Sequence, residues 1–253
     1  MMTLVLAAGS MLDQTPSTLI DAAAAAGFDG VGLRISNPAT AAHSVADPSA
    51  VRRYAEHRGI TIHDAEVYRI GSGDDPRPLV ECAATVGAGS LLVVSDSTVR
   101  SDTVAGVAAL VELAGRHGVQ VALEYMAWTD PARPHDAVAI AQETGCRVVV
   151  DLLHHVRVGA DVADLQAVID SGLLAWVQVC DAEQSRPDDL IHEARHRRLI
   201  PGAGALPLSE LLAAVGADTT VSVEVQSDEL LTLEAHQRAQ LLHDATRSVL
   251  ATG

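Results

Sequence analysis

The last four of the chain's apolar runs each end on a polar group: VALE on Glu124, VVVD on Asp151, WVQ on Gln178 and VSVE on Glu224. Three carboxylates aimed at one point repel, so they must keep protons that free carboxylic acids release or share a cation. A divalent ion relieves that repulsion. Four oxygen donors without a thiolate favour a hard ion, Mg²⁺ or Mn²⁺, over a structural zinc. Any one of these residues alone reads equally well as a helix cap or a solvated strand end. Four of them in successive units, on one face, read better as a metal-ligand set.

Those runs belong to a pattern that covers the chain. Strand-like segments are expected over 3–8, 30–35, 60–67, 90–95, 119–125, 147–151, 175–180 and 220–225, with alanine- and leucine-rich helical segments between them. Thr15-Pro16, Asp47-Pro48 and Asp75-Pro76 read as helix starts, and Gly27, Gly59, Gly87, Gly118 and Gly145 as stops. Eight βα units in 253 residues predict an α/β chain folded as a (β/α)₈ TIM barrel, one domain over residues 1–253. An open doubly wound sheet is the rival, but no GxGxxG follows the first strand, and Gly202-Ala203-Gly204 comes far too late. Period-2 alternation puts Val121, Leu123, Val221 and Val223 toward the helices. It turns Ala122, Glu124, Ser222 and Glu224 toward the barrel axis. The four polar ends then converge on the C-terminal mouth, where barrel active sites lie.

Composition removes several function classes. All 17 basic side chains are arginine, so Schiff-base aldolases, pyridoxal phosphate enzymes, P-loop NTPases and carbamylated-lysine hydrolases lack their lysine. Against 33 acidic residues the net charge is −16, which disfavours nucleic acid and anionic membrane surfaces. Neither a nucleotide nor a flavin motif is present. Three cysteines with no CxxC spacing read as buried thiols in a reducing cytoplasm. The apolar start of the chain is short and lacks a basic flank, so it reads as the first strand rather than a signal segment.

LEYMAW (123–128), VDLLHHVRVG (150–159), WVQVCDA (176–182) and EARHRRLIPGAGALPL (193–208) together resemble the xylose-isomerase-like TIM-barrel superfamily of sugar phosphate isomerases and epimerases. The resemblance spans essentially the whole chain. It implies one divalent ion held by Glu124, Asp151, Gln178 and Glu224, with Mn²⁺ or Mg²⁺ favoured. Many members have His where this chain has Gln178, a departure similar to the branches of hydroxypyruvate isomerase and 3-dehydroshikimate dehydratase. The activity implied is isomerisation or epimerisation of a small polyhydroxylated ketone, sugar or keto acid through an enediolate. Glu124 and Glu224 would move the proton, and His154 of the DxxH pair would act as an acid or contact the substrate oxygen. Loss of a β-hydroxyl from the same species would make the protein a lyase, a dehydratase of a cyclic keto-polyol or dehydroshikimate-like acid. A barrel that binds a sugar-like ligand without turnover is a third reading. The abasic-DNA endonuclease branch needs more histidines and a basic groove.

Around this set, Arg195 and Arg197 resemble the basic positions that hold a carboxylate or oxyanion in the dehydratase-like branch. Arg34 and Glu66, read as the ends of the second and third strands, are candidate substrate contacts on the opposite wall. Trp128 and Tyr68 are candidate covers for a ligand or packing residues. His155 is expected to point away, and Cys180 to be packing. Many relatives are oligomers, but no segment of this chain identifies a self-association surface.

Overall fold

A computed structural model describes residues 2–36 and 45–251 of the chain; Met1, the first residue of the apolar start, lies outside them. Eight parallel strands follow one another in chain order: β1 (Thr3–Leu6), β2 (Gly30–Arg34), β3 (Thr61–Ile70), β4 (Ser90–Ser95), β5 (Gln120–Glu124), β6 (Arg147–Asp151), β7 (Leu174–Val179) and β8 (Thr220–Val223). The sheet closes where β8 pairs with β1, placing Val5 beside Ser222 and Leu6 beside Val223. The (β/α)₈ barrel expected from the alternation is therefore the fold.

Among the described residues, the outer layer holds α1 (Pro16–Ala26), α2 (Pro48–Arg58), α3 (Arg77–Val86), α4 (Arg100–Gly115), α5 (Pro134–Thr144), α6 (Leu152–Arg157), α7 (Val162–Asp170), α8 (Leu190–His196), α9 (Leu208–Ala214) and α10 (Ala235–Leu250). The Thr15 hydroxyl and the Asp47 carboxylate accept N–H bonds that open α1 and α2, each with proline next in line. Gly27 ends α1 at φ 91°, a left-handed cap that a side chain would strain. The third start differs: α3 begins after Pro76, while Asp75 accepts the Arg77 N–H outside the helix. None of the helices is long and apolar enough to cross a membrane.

Two apolar cores separate by strand face. Leu4, Leu33, Val93, Val121, Leu123, Val150, Val177 and Val223 belong to the core that includes the helices. Leu92, Val94, Ala122, Val149 and Trp176 form a second cluster with Val67 and Met126. This division is the alternation of a closed sheet: one residue turns toward the helices and the next toward the axis. β1 and β8 end two residues short of expectation, and β3 departs further. β3 runs on to Ile70, with its register against β4 shifting between Ala65 and Tyr68, so Glu66 lies inside the strand.

Candidate metal centre and its cavity

Glu124 and Asp151 are the last residues of β5 and β6, Gln178 is the last but one of β7, and Glu224 follows β8 directly. Asp151 pairs in register with Gln178, and Gln178 with Ser222. All four polar residues are buried beneath the barrel mouth. Asp151 also starts α6: its Oδ1 accepts the Leu153 and His154 N–H groups at 2.7 and 3.3 Å. That sharp strand-to-helix corner brings His154 back over the strand ends. Its Nε2 lies 3.8 Å from Glu124 Oε1 and 3.9 Å from Asp151 Oδ2.

Glu124, Asp151 and His154 each place one ligand atom within 4.8 Å of the others. Gln178 Oε1 is buried with no hydrogen-bond partner among the described residues. An orphaned buried amide oxygen is costly unless something accepts its lone pairs, and a cation does so. The donor set therefore fits a divalent ion, with an imidazole joining the carboxylates. Glu224 stands outside the compact group, and its Oε1 accepts from Gln226 Nε2 at 3.1 Å. A Cβ on Gly9 would push against the Glu224 side chain, so the short 3₁₀ turn Ala8–Met11 packs closely on that carboxylate.

Sequence reasoning missed Arg198. Its side chain is 2 % exposed, and Nη1 donates to Asp151 Oδ2 at 2.6 Å while Nη2 lies 3.4 Å from Glu224 Oε2. The EARHRR run gave no sign of which arginine turns inward. A buried guanidinium between two carboxylates is a strong ion-pair arrangement, and it cancels part of their charge. Arg195 lines the cavity from an exposed position, whereas Arg197 is exposed and outside the lining, its backbone bridged to Ser227.

The cavity has a volume of about 340 Å³. Leu92, Val94 and Met126 supply an apolar wall, and Arg34, Arg69, Arg195 and Arg198 the cations. Arg34 donates twice to Glu66 Oε2, at 3.0 and 2.6 Å, so Glu66 acts through Arg34 and is itself almost fully buried. Trp128 lines the cavity and meets His154 edge-on at 5.0 Å. Tyr68 instead lines a neighbouring cavity and donates to the Asp74 carbonyl. His155 points away from the mouth to Tyr125 and the Asp161 carbonyl. Cys180 is a buried free thiol whose pKa burial pushes up.

Electrostatics separate the carboxylates. Burial, then the nearness of Asp151 and Glu224, raises Glu124 well above the usual range. Burial pushes Glu224 to about 7 even though Arg198 opposes it. For Asp151 burial is overcome by Arg198 and His154, which hold it below the ordinary value. Burial lowers His154 to about 4, leaving a neutral imidazole that can donate a lone pair. A glutamate that keeps its proton, a second poised near neutrality and an ionised aspartate give a site that can both bind a cation and move a proton.

The family model described as xylose isomerase-like TIM barrel matches residues 20–248. No curated protein sequence matches the chain. Among solved structures, the IolI protein with a bound zinc atom is 18% identical at a TM-score of 0.86, over 99% of this chain and 98% of that one. A D-allulose 3-epimerase from Methylomonas sp., solved with D-allulose, is 14% identical at 0.74, over 98% and 96%. A xylose isomerase-like TIM barrel/4-hydroxyphenylpyruvate dioxygenase fusion protein is 22% identical at 0.83, and this chain spans only 42% of its length.

Proposed function

We propose, from the premise that the chain belongs to the xylose isomerase-like TIM barrel family, that it is a divalent-metal-dependent isomerase or epimerase. Its substrate would be a small polyhydroxylated ketone, sugar or keto acid, taken up by one barrel domain over residues 1–253. One observation carries the reading: Glu124 and Glu224 reach one cavity from strands β5 and β8, both with raised proton affinity. Proton transfer between neighbouring carbons, or between two faces of one carbon, needs such a pair.

Glu124, Asp151, His154 and Gln178 would hold the ion, with Glu224 as the remaining ligand. The bound ion would supply Lewis-acid polarisation of the substrate's carbonyl and hydroxyl oxygens. The mixed oxygen and nitrogen donors suit Mn²⁺, Mg²⁺ or zinc. Proton removal falls to one glutamate carboxylate and return to the other. Neutral His154, wedged against Trp128, would turn its Nε2 lone pair to the ion. Arg34, fixed by Glu66, and Arg195 on the lip bind the substrate's electron-rich end. Leu92, Val94 and Met126 exclude water from the carbon that exchanges its proton.

The four cavity arginines favour a second reading, a lyase acting on a carboxylate-bearing keto-polyol. One experiment separates the two. The protein is incubated in D₂O with Mn²⁺ and a panel of keto-sugars and keto acids, and followed by NMR and mass spectrometry. Deuterium at an α-carbon with otherwise conserved mass supports the isomerase. Loss of water supports the lyase, and a panel with neither exchange nor turnover would sink both in favour of ligand binding alone.

A further inference from the structure

The buried pair Arg157–Glu193 lies outside the cavity lining. Arg157 Nε donates to Glu193 Oε2 at 2.8 Å and Nη2 to Glu193 Oε1 at 2.6 Å, a two-pronged contact. Both residues are about as buried as the ligand carboxylates. Burying an ion pair for stability alone gains little, because apolar side chains of similar volume hold two helices as well. What the fork adds is direction.

The direction leads back to the mouth from both ends. Arg157 is the last residue of α6, the helix that Asp151 caps through Oδ1. Glu193 lies in the first turn of α8, beside Ala194, whose carbonyl accepts Arg198 Nε at 2.7 Å. Arg198 Nη1 then reaches Asp151 Oδ2. The contacts make a closed ring: Asp151, helix α6, Arg157, Glu193, Ala194, Arg198 and Asp151 again. Each oxygen of Asp151 is fixed by a different arc of it.

The segment carrying Arg198 is pinned on its far side as well. Leu199 and Asp181 exchange backbone hydrogen bonds at 2.8 Å each way. The Asp181 carboxylate accepts the Ala182, Gly202 and Leu206 N–H groups at 2.8, 3.0 and 3.0 Å. Arg198 is also held by the Gln226 and Glu224 carbonyls at 3.1 and 3.3 Å, and the Ala194 carbonyl is the contact that ties it to the segment carrying Glu193.

We propose that Arg157 and Glu193 are positioning residues for the metal centre, holding Asp151 and Arg198 in ligand geometry through this ring. The proposal rests on the reading that the mouth binds a divalent ion. Partners of metal ligands govern affinity because they fix the angle of the ligand oxygen, and losing one weakens binding by about 10–100-fold.

Titration of the whole protein with Mn²⁺ alone, by calorimetry and by electron paramagnetic resonance, tests it. Glu193→Gln is expected to weaken Mn²⁺ binding about tenfold. Arg157→Lys, which keeps the charge and loses the fork, is expected to do the same and serves if the first variant fails to fold. Combining Glu193→Gln with Arg198→Gln should weaken binding no more than Arg198→Gln alone, since a ring opened once is open. Unchanged Mn²⁺ affinity beside a lowered melting temperature would make the pair purely structural and overturn the proposal. Additive losses in the double variant would overturn the ring. Wild-type protein that binds no Mn²⁺ would instead sink the metal reading itself, and this proposal with it.

Discussion

Each mouth residue stands two positions beyond an inward residue deeper in the barrel: Glu124 above Ala122, Asp151 above Val149, Gln178 above Trp176, and Glu224 above Ser222. The lower layer is buried and mostly apolar, with Val149, Trp176 and Ala122 in one cluster. The upper layer gathers carboxylates, an amide, an imidazole and a guanidinium. The two layers share the same strands, so backbone geometry cannot account for their different behaviour. What differs is the neighbour below: an apolar floor donates no hydrogen bond to the carboxylates, and burial is the largest cause raising both Glu124 and Glu224. The floor thereby shapes the chemistry of the layer above it, whose cavity Leu92, Val94 and Met126 of the same cluster also line.

Substitutions in the two layers should part company. At the mouth, Glu124→Gln removes a proton carrier and is expected to lower turnover of an isomerised substrate by about 10²–10⁴-fold. The same change replaces a carboxyl group that already keeps its proton with a neutral amide of the same shape, so the metal-free protein should melt no lower than wild type. In the floor, Trp176→Ala opens a cavity and is expected to cost about 3–5 kcal/mol of stability by denaturant unfolding. A Glu124→Gln variant that melts far below wild type, or a Trp176→Ala variant as stable as wild type, would erase the distinction between the layers.

The floor was legible in the sequence because period-2 alternation assigns every strand residue to one face, and the barrel followed from a strand-then-helix unit repeated eight times. The four strand-end polar residues were legible for the same reason. Arg198 was not. Its neighbours Arg195 and Arg197 have the same residue type on one short helix end, and only the turn after α8 decides which guanidinium enters the mouth. Glu66 was misplaced at a strand terminus because the register shift in β3 carries no sequence mark. His154 was recognisable from DxxH, but its place among the donors depends on the corner that Asp151 caps.

Acidity gives a smaller test of the same contrast. Glu224, at about 7 in the metal-free protein against an ordinary 4.5, keeps a proton that the unfolded chain has released. Its contribution to stability is full below about 4.5 and falls as pH rises through about 7. His154 works the other way: at about 4 against 6.5, its contribution is full above 6.5 and falls as pH drops toward 4. Stability of chelated wild type minus that of Glu224→Gln isolates the first contribution and should decline between pH 4.5 and 7. Metal affinity should rise over the same window, because the ion competes with the Glu224 proton. A flat difference curve would mean that the floor does not desolvate Glu224.

The smallest expected effect lies farthest from the floor, at the lip. Arg195 and Arg197 are both exposed and two residues apart, but only Arg195 lines the cavity. Water and salt reach both, so neither supplies the energy of a buried guanidinium; an exposed ion pair is worth about 0.2–1 kcal/mol. On that scale Arg195→Gln should raise the KM for an anionic substrate about two- to fivefold with kcat unchanged, since contact with a distant substrate charge is the same in ground and transition states. The increase should shrink in high salt, where such charges are screened. Arg197→Gln, with the same change of net charge, controls for long-range attraction and should leave KM alone. Equal effects from the two would show that the lip acts only through its overall field, and the specific anion contact would belong to the arginines held deeper in the barrel.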